Sequence, residues 1–232
     1  MAGRTEPAQA GGKKTLAKVA ADPVSRRRFL ALAGGSSAAA AFLAACGSDG
    51  GTGSTMDSTG SMGGGMGGGE TAQFGKGDLG IVNFALTLEY LEAAFYAEVV
   101  KSGLFKGAEL KAIEKFGQEE AEHVVALSKA AEALGGKPAA EPKTEFPLED
   151  AQAVVELAGT VENLGAAAYL GQAPRISSPE ILNSALAIHS VEGRHAATLN
   201  TMLGEPITPD GPFAVPADAP TVLKAVEPFI VG

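Results

Sequence analysis

One pattern limits the fold of this 232-residue chain more than any other. It holds only three histidines, and two of them follow a glutamate by three positions, in "EEAEHVV" and "VEGRHAA". The pairs are Glu120 with His123 and Glu192 with His195, 72 residues apart. Each pair is preceded by a second matched stretch. "EYLEAAFY" runs from Glu89 to Tyr96, and "ENLGAAAY" from Glu162 to Tyr169. Both begin with Glu, place Leu two positions on, carry two alanines and end in Tyr at the seventh position. The first Glu of each lies 31 or 30 residues before the Glu of its E-x-x-H. The chain therefore contains an internal two-fold repeat of about 72 residues, and a repeated unit must pack against its own copy.

The segments that carry the repeat read as helices. Ile81, Phe84, Ala85, Leu88, Leu91, Phe95 and Val99 recur at i, i+3, i+4 and i+7, the period of one helix face. Asp78 is placed to cap that helix and Gly103 to end it. A second helix over "GAELKAIEKFGQEEAEHVVALSKAAEALGG" stops at Gly135-Gly136. The Pro-rich "KPAAEPKTEFP" then connects to a third helix, from about Leu148 to Gly171. A fourth starts at Ser178, with Pro179 in its first turn, and ends near Gly204. Few aromatics, no Trp and abundant Ala favour helix over sheet. The fold class expected is all-α: a four-helix bundle over residues 77–204 with a long middle crossover. The tail, 205–232, holds six prolines from Pro206 to Pro228. It is expected to be mostly irregular and to pack Phe213, Phe229 and Ile230 on the bundle.

Residues three apart on a helix lie on one face, about 5–6 Å from each other. Glu120 with His123, and Glu192 with His195, each aim an oxygen and a nitrogen donor the same way. Glu89 and Glu162 add one carboxylate from each remaining helix. Four carboxylates and two imidazoles form a ligand set for two divalent metals in a bundle core. Small apolar neighbours place Glu89 and Glu162 on the buried stripe, where unpaired carboxylates repel unless protonated or metallated. Tyr96 and Tyr169, two turns along, point into the same core and can hydrogen-bond the ligands. Nearby groups read differently. Glu92 is one turn from Glu89, but its repeat mate is Gly165, so symmetry favours Glu89 as the ligand. Glu119 and Glu122 are expected on a solvated face, and His189, whose repeat mate is Gly117, as a packing histidine.

The first 76 residues have another character. "SRRRFLALAGGSSAAAAFLAAC" looks like a twin-arginine export signal, spanning 1–45, whose Leu43-Ala44-Ala45-Cys46 resembles a lipobox. Cys46 is the only cysteine, so neither an internal disulfide nor a thiolate metal site can form, and lipidation explains its position. Residues 46–76 form a tether. Gly47 to Gly69 holds eleven glycines in 23 residues, a composition that cannot bury enough apolar surface to offset its ordering entropy. Met56, Met62 and Met66 read as scattered tether residues rather than a thioether copper site. Residues 1–45 carry seven Lys/Arg and two Asp/Glu, leaving 11 basic and 25 acidic residues beyond. So acidic a body argues against nucleic acid as a partner.

Taken together, Glu89, the Glu120/His123 pair, Glu162 and the Glu192/His195 pair resemble the ferritin-like superfamily of carboxylate-bridged dinuclear metal proteins. The likeness covers about residues 74–203. It is closest to the exported ferritin-like domain proteins that include the desiccation-related proteins, whose tails the closing "EPFIVG" also resembles. The resemblance implies two Fe or two Mn ions. Glu89 and Glu162 would be terminal ligands, Glu120 and Glu192 bridges, His123 and His195 terminal nitrogen ligands, and Tyr96 and Tyr169 their hydrogen-bond partners. It implies redox chemistry on peroxide, oxygen or ferrous iron in the cell envelope, on a protein anchored to the membrane through Cys46. A tethered monomer or homodimer suits it better than a storage shell. The alternative is a non-catalytic, metal-stabilised surface or stress-protection module. An open coordination position favours the enzyme, a sealed core the module.

Overall fold

The computed structural model describes residues 69–231. The expected signal, Cys46 and most of the tether lie outside them. Five α-helices and three single 3-10 turns form the described residues, with no strand among them. The helices are α1 (Asp78–Ser102), α2 (Gly107–Ala133), α3 (Ala151–Gln172), α4 (Pro179–Leu203) and α5 (Ala219–Val226). α1 packs chiefly on α2, and α3 on α4. Each half of the repeat is thus a helical hairpin, and the two hairpins close face to face around one core.

α1 is the central helix. Its whole apolar stripe from Ile81 to Val99 is buried, and so are Val82, Leu86 and Tyr96 on the other sides. A helix that is apolar nearly all round must be covered nearly all round. Burying each such Leu or Phe is worth about 1.5–3 kcal/mol. Phe95 packs edge-on to Tyr96 and Phe146, at ring-centroid distances of 5.3 and 5.2 Å. The ends follow local chemistry. Gly103 and Gly204 terminate α1 and α4 in the left-handed conformation, at φ 72° and 76°. The Ser178 hydroxyl accepts the Ile181 N–H to cap α4, with Pro179 in the first turn.

Two caps differ from expectation. Gly77, at φ 56°, is the cap residue of α1. The Asp78 carboxylate instead accepts the Ser177 and Ser178 N–H groups, at 2.8 and 2.7 Å. It fastens the start of α1 to the start of α4. α3 begins at Ala151 rather than Leu148, because Asp150 accepts the Ala153 N–H and becomes its cap. A buried amide joins further segments. Asn83 of α1 donates to Phe74 O and Lys137 O and accepts from Ala139 N, tying the first turn and the crossover to the bundle.

The tail is more ordered than its prolines suggest. Asp218 caps α5 by accepting the Thr221 N–H, and α5 buries Ala219, Val222 and Val226. Thr144 of the crossover pairs with Ile230 in an isolated antiparallel bridge. Phe229 and Ile230 do pack on the core. Phe213 does not: it is 82% exposed, in a stretch from 205 to 216 that is exposed throughout.

The tail passes close against α3 at Gly171. A Cβ there would lie 1.9 Å from the Ala217 carbonyl oxygen, whereas one at Gly193 would meet nothing within 4 Å. Gly171→Ala is therefore expected to force the tail off α3 and cost about 1–3 kcal/mol, a fall of several degrees in Tm. Gly193→Ala on the exposed face of α4 should be neutral or stabilising by up to about 1 kcal/mol. Thermal melts of the two variants check this; equal melting points would contradict the close contact.

Candidate metal centre

All six residues singled out by the repeat meet in the middle of the bundle. Glu89, Glu120, Glu162 and Glu192 have no exposed surface, and His195 is 3% exposed. The His123 side chain is 12% exposed and forms the most open side of the cluster. The ligand-type atoms fall into two overlapping groups. One is Glu89, Glu120, His123 and Glu192; the other is Glu120, Glu162, Glu192 and His195. Within each group these atoms lie within 4.8 Å of one another, and each group could hold a metal ion. Glu120 and Glu192 belong to both.

Each histidine turns Nδ1 to the centre. His123 Nδ1 lies 3.1 Å from Glu89, 2.8 Å from Glu120 and 3.3 Å from Glu192. His195 Nδ1 lies 2.8 Å from Glu120 and 3.3 Å from Glu162. Glu192 Oε2 is buried with no hydrogen-bond partner, and the other carboxylate oxygens turned to the centre share the two histidine Nδ1 atoms. Orphaned buried polar atoms are costly and rare. Four buried carboxylates sharing only two imidazoles fit a hard or borderline divalent metal.

The tyrosines cross between the halves. Tyr96 of α1 donates to Glu162 Oε1 of α3 at 2.5 Å. Tyr169 of α3 donates to Glu89 Oε1 of α1. Each carboxylate is thus oriented by the other repeat. Burial, and then the neighbouring Glu162 or Glu89, raises both phenol pKa values well above 10, so both remain donors.

Two further residues enter the site. Glu119, expected on a solvated face, accepts from His195 Nε2 at 2.9 Å and pairs with Lys115 Nζ at 2.8 Å. This fixes the ring so that Nδ1 faces the cluster, the usual role of a carboxylate behind a ligating histidine. Glu122 is exposed, as expected, beside Gln118. Glu92, set aside on symmetry, is 2% exposed and surrounded by the cluster carboxylates. Symmetry favours Glu89 alone, but both Glu89 and Glu92 turn inward. His189 stays outside the cluster, with Nδ1 against the Ala166 carbonyl at 3.0 Å.

The charges are balanced by protons. Burial depresses the His123 and His195 pKa values, but the facing carboxylates outweigh it. His123, held by Glu120, Glu192 and Glu89, is raised to about 12, and His195, held by Glu120 and Glu162, to about 11. Burial raises Glu120 as well, yet hydrogen bonds from His123 and His195 prevail and hold it at about 2. Glu89 rises to about 7, chiefly through burial. Burial and like charge push Glu192 and Glu92 well above the usual carboxylate range. Two imidazolium ions therefore supply part of the positive charge that two metal ions would bring.

A model of the family described as "Ferritin-like domain" matches residues 77–205. That span takes in all four long helices and every residue of the cluster. No curated protein matches the chain. On the match and on the bundle that carries it, the chain belongs to the ferritin-like domain family.

Proposed function

We propose that this protein binds two Fe or Mn ions between its helical hairpins and carries out redox chemistry on peroxide, oxygen or ferrous iron. The observation that carries the reading is the pair of overlapping ligand groups that share Glu120 and Glu192. Two adjacent positions with two common carboxylates suit a coupled metal pair better than two separate ions. When bound, such a pair supplies electron exchange with small oxygen species. The chain's own residues do the rest. Glu119 orients His195, and Tyr96 and Tyr169 hold Glu162 and Glu89. Phe116 stacks on His195, with ring centroids 4.2 Å apart, and shields it from water.

Complete burial of the four carboxylates favours a second reading, a metal-stabilised module without turnover. Protein loaded with Fe or Mn and supplied with peroxide, or with ferrous iron and oxygen, separates the two. The leading reading expects turnover. Full metal occupancy with a raised Tm and no turnover would support the module. In either case wild-type protein is expected to hold two ions per chain. The double variant His123→Ala, His195→Ala should hold fewer and gain less Tm from metal. Equal metal content in both would contradict the assigned ligands.

The protons give a pH dependence with a definite sign. Groups whose folded pKa is raised bind more protons folded than unfolded. His123 and His195 thus stabilise the metal-free protein fully below about 6.5, and that stability drains away as pH rises towards about 11–12. Raised Glu89 loses its contribution between about 4.5 and about 7. Metal must displace the same protons, so its binding strengthens as pH rises. The Tm gain on adding Mn is expected to grow from pH 5.5 to pH 8. At pH 7 binding should release at least the two histidine protons, measurable by calorimetry in buffers of different ionisation enthalpy. A Tm gain that shrinks with pH would contradict this charge balance.

We also infer an envelope location. Among the described residues no helix is long and apolar enough to cross a membrane; the anchor we propose is Cys46 in its lipobox-like context. The Gly-rich tether would then hold the bundle roughly 30 Å from the anchor, as a monomer or homodimer. Membership among the desiccation-related proteins belongs to the same proposal. Cys46→Ser is expected to abolish lipid attachment. Arg26→Lys with Arg27→Lys should strand the protein in the cytoplasm, since a receptor reads the arginines rather than their charge. Normal fractionation of both variants would contradict this address.

A further inference from the structure

The cross-bundle bonds locate the pseudo-two-fold axis. Glu89 pairs with Tyr169, and Tyr96 with Glu162. Since 89 and 162 are repeat mates, and 96 and 169 likewise, exchanging the halves turns one bond into the other. The axis therefore passes between positions 89 and 96 of α1 and between 162 and 169 of α3. The residues beside it are Glu92 and its mate Gly165. Two long side chains at a shared axis would claim the same space, so symmetry cannot be kept there.

The structure bears the mark of that conflict. A Cβ on Gly165 would lie 2.9 Å from Glu92 Oε1 and 3.1 Å from Glu192 Oε2. The place where a side chain of α3 would go is filled by the Glu92 carboxylate. The two carboxylate oxygens flank one point and are at most about 6 Å apart. Glu92 is 2% exposed, and the carboxylates of Glu192, Glu89, Glu120 and Glu162 surround it. A carboxylate so buried among like charges needs a counter-charge.

We propose that Glu92 is a further metal-binding carboxylate, set on the pseudo-two-fold axis between the two ion positions, and that position 165 is glycine to admit it. The proposal rests on the dinuclear reading above. It makes the centre asymmetric, with five carboxylates rather than four and the fifth supplied by one repeat only. A carboxylate has two oxygens and Glu three side-chain torsions, so a group on the axis can serve either ion.

The test uses Co(II) and Mn(II) binding to full-length protein and three variants: Glu92→Gln, Gly165→Ala, and Gly165→Ala combined with Glu92→Ala, measured against Glu92→Ala alone. Readouts are affinity by chelator competition, the visible spectrum of the Co(II) form and the Tm of metal-free and loaded protein. Glu92→Gln is expected to weaken binding at least about tenfold and to alter the Co(II) spectrum. Gly165→Ala should fold, since its Cβ displaces only the ends of flexible side chains. It should weaken binding similarly, and most of that effect should vanish when Glu92 is already Ala. Unchanged affinity and spectrum in Glu92→Gln would overturn the proposal alone. So would a Gly165→Ala effect equally large with Glu92 absent, which would run through Glu192. Wild-type protein that takes up no metal would overturn the dinuclear reading and this proposal together.

Discussion

Carboxylates packed into an apolar core need positive charge, and the rest of this molecule is arranged around that need. Five glutamates, Glu89, Glu92, Glu120, Glu162 and Glu192, lie almost wholly out of water. Isolated, each would cost several kcal/mol or take up a proton. Two imidazolium rings are the positive charge the protein supplies by itself. They are an imperfect substitute, since Glu192 Oε2 remains without a hydrogen bond. Divalent ions would bring more charge to the same points and would satisfy the orphaned atom. The site is thus strained in the direction that favours metal.

The repeat explains how such a site is held. Neither hairpin contains a complete set of donors. Each contributes one terminal glutamate, one E-x-x-H and one tyrosine, and the tyrosine serves the other hairpin's glutamate. Closing the hairpins therefore buries the charges and orients them in one event. The apolar surface of α1, together with α5 and the crossover bridge, holds that closure. The chemistry at the centre and the stability of the bundle depend on the same interface.

Much of this was legible in the amino-acid sequence because it has a short period. The α1 stripe, the glycine stops at Gly103 and Gly204, the Ser178 cap and the convergence of six donors all follow from 3.6-residue spacing and a matched repeat. What was not legible depends on contacts between helices. Glu119 sits one residue from Glu120, off the stripe, and joins the site only because α4 brings the outer edge of His195 to it. Glu92 lay on the correct face, but the symmetry argument used against it fails at the axis, where two equal side chains cannot fit. Phe213 is apolar and exposed, since residue type does not specify what a loop finds to pack on. α5 could have been found: Asp218 followed by Pro220 is a start signal for a helix. The five other prolines of the tail masked it.

The central claim is that two metal ions share Glu120 and Glu192 at the bundle centre. Anomalous diffraction from crystals of the Mn- or Fe-loaded protein tests it most directly. The account predicts two peaks about 3.5–4 Å apart, one beside His123 and one beside His195, with Glu120 and Glu192 between them. A single peak, or peaks outside this cluster, would contradict it.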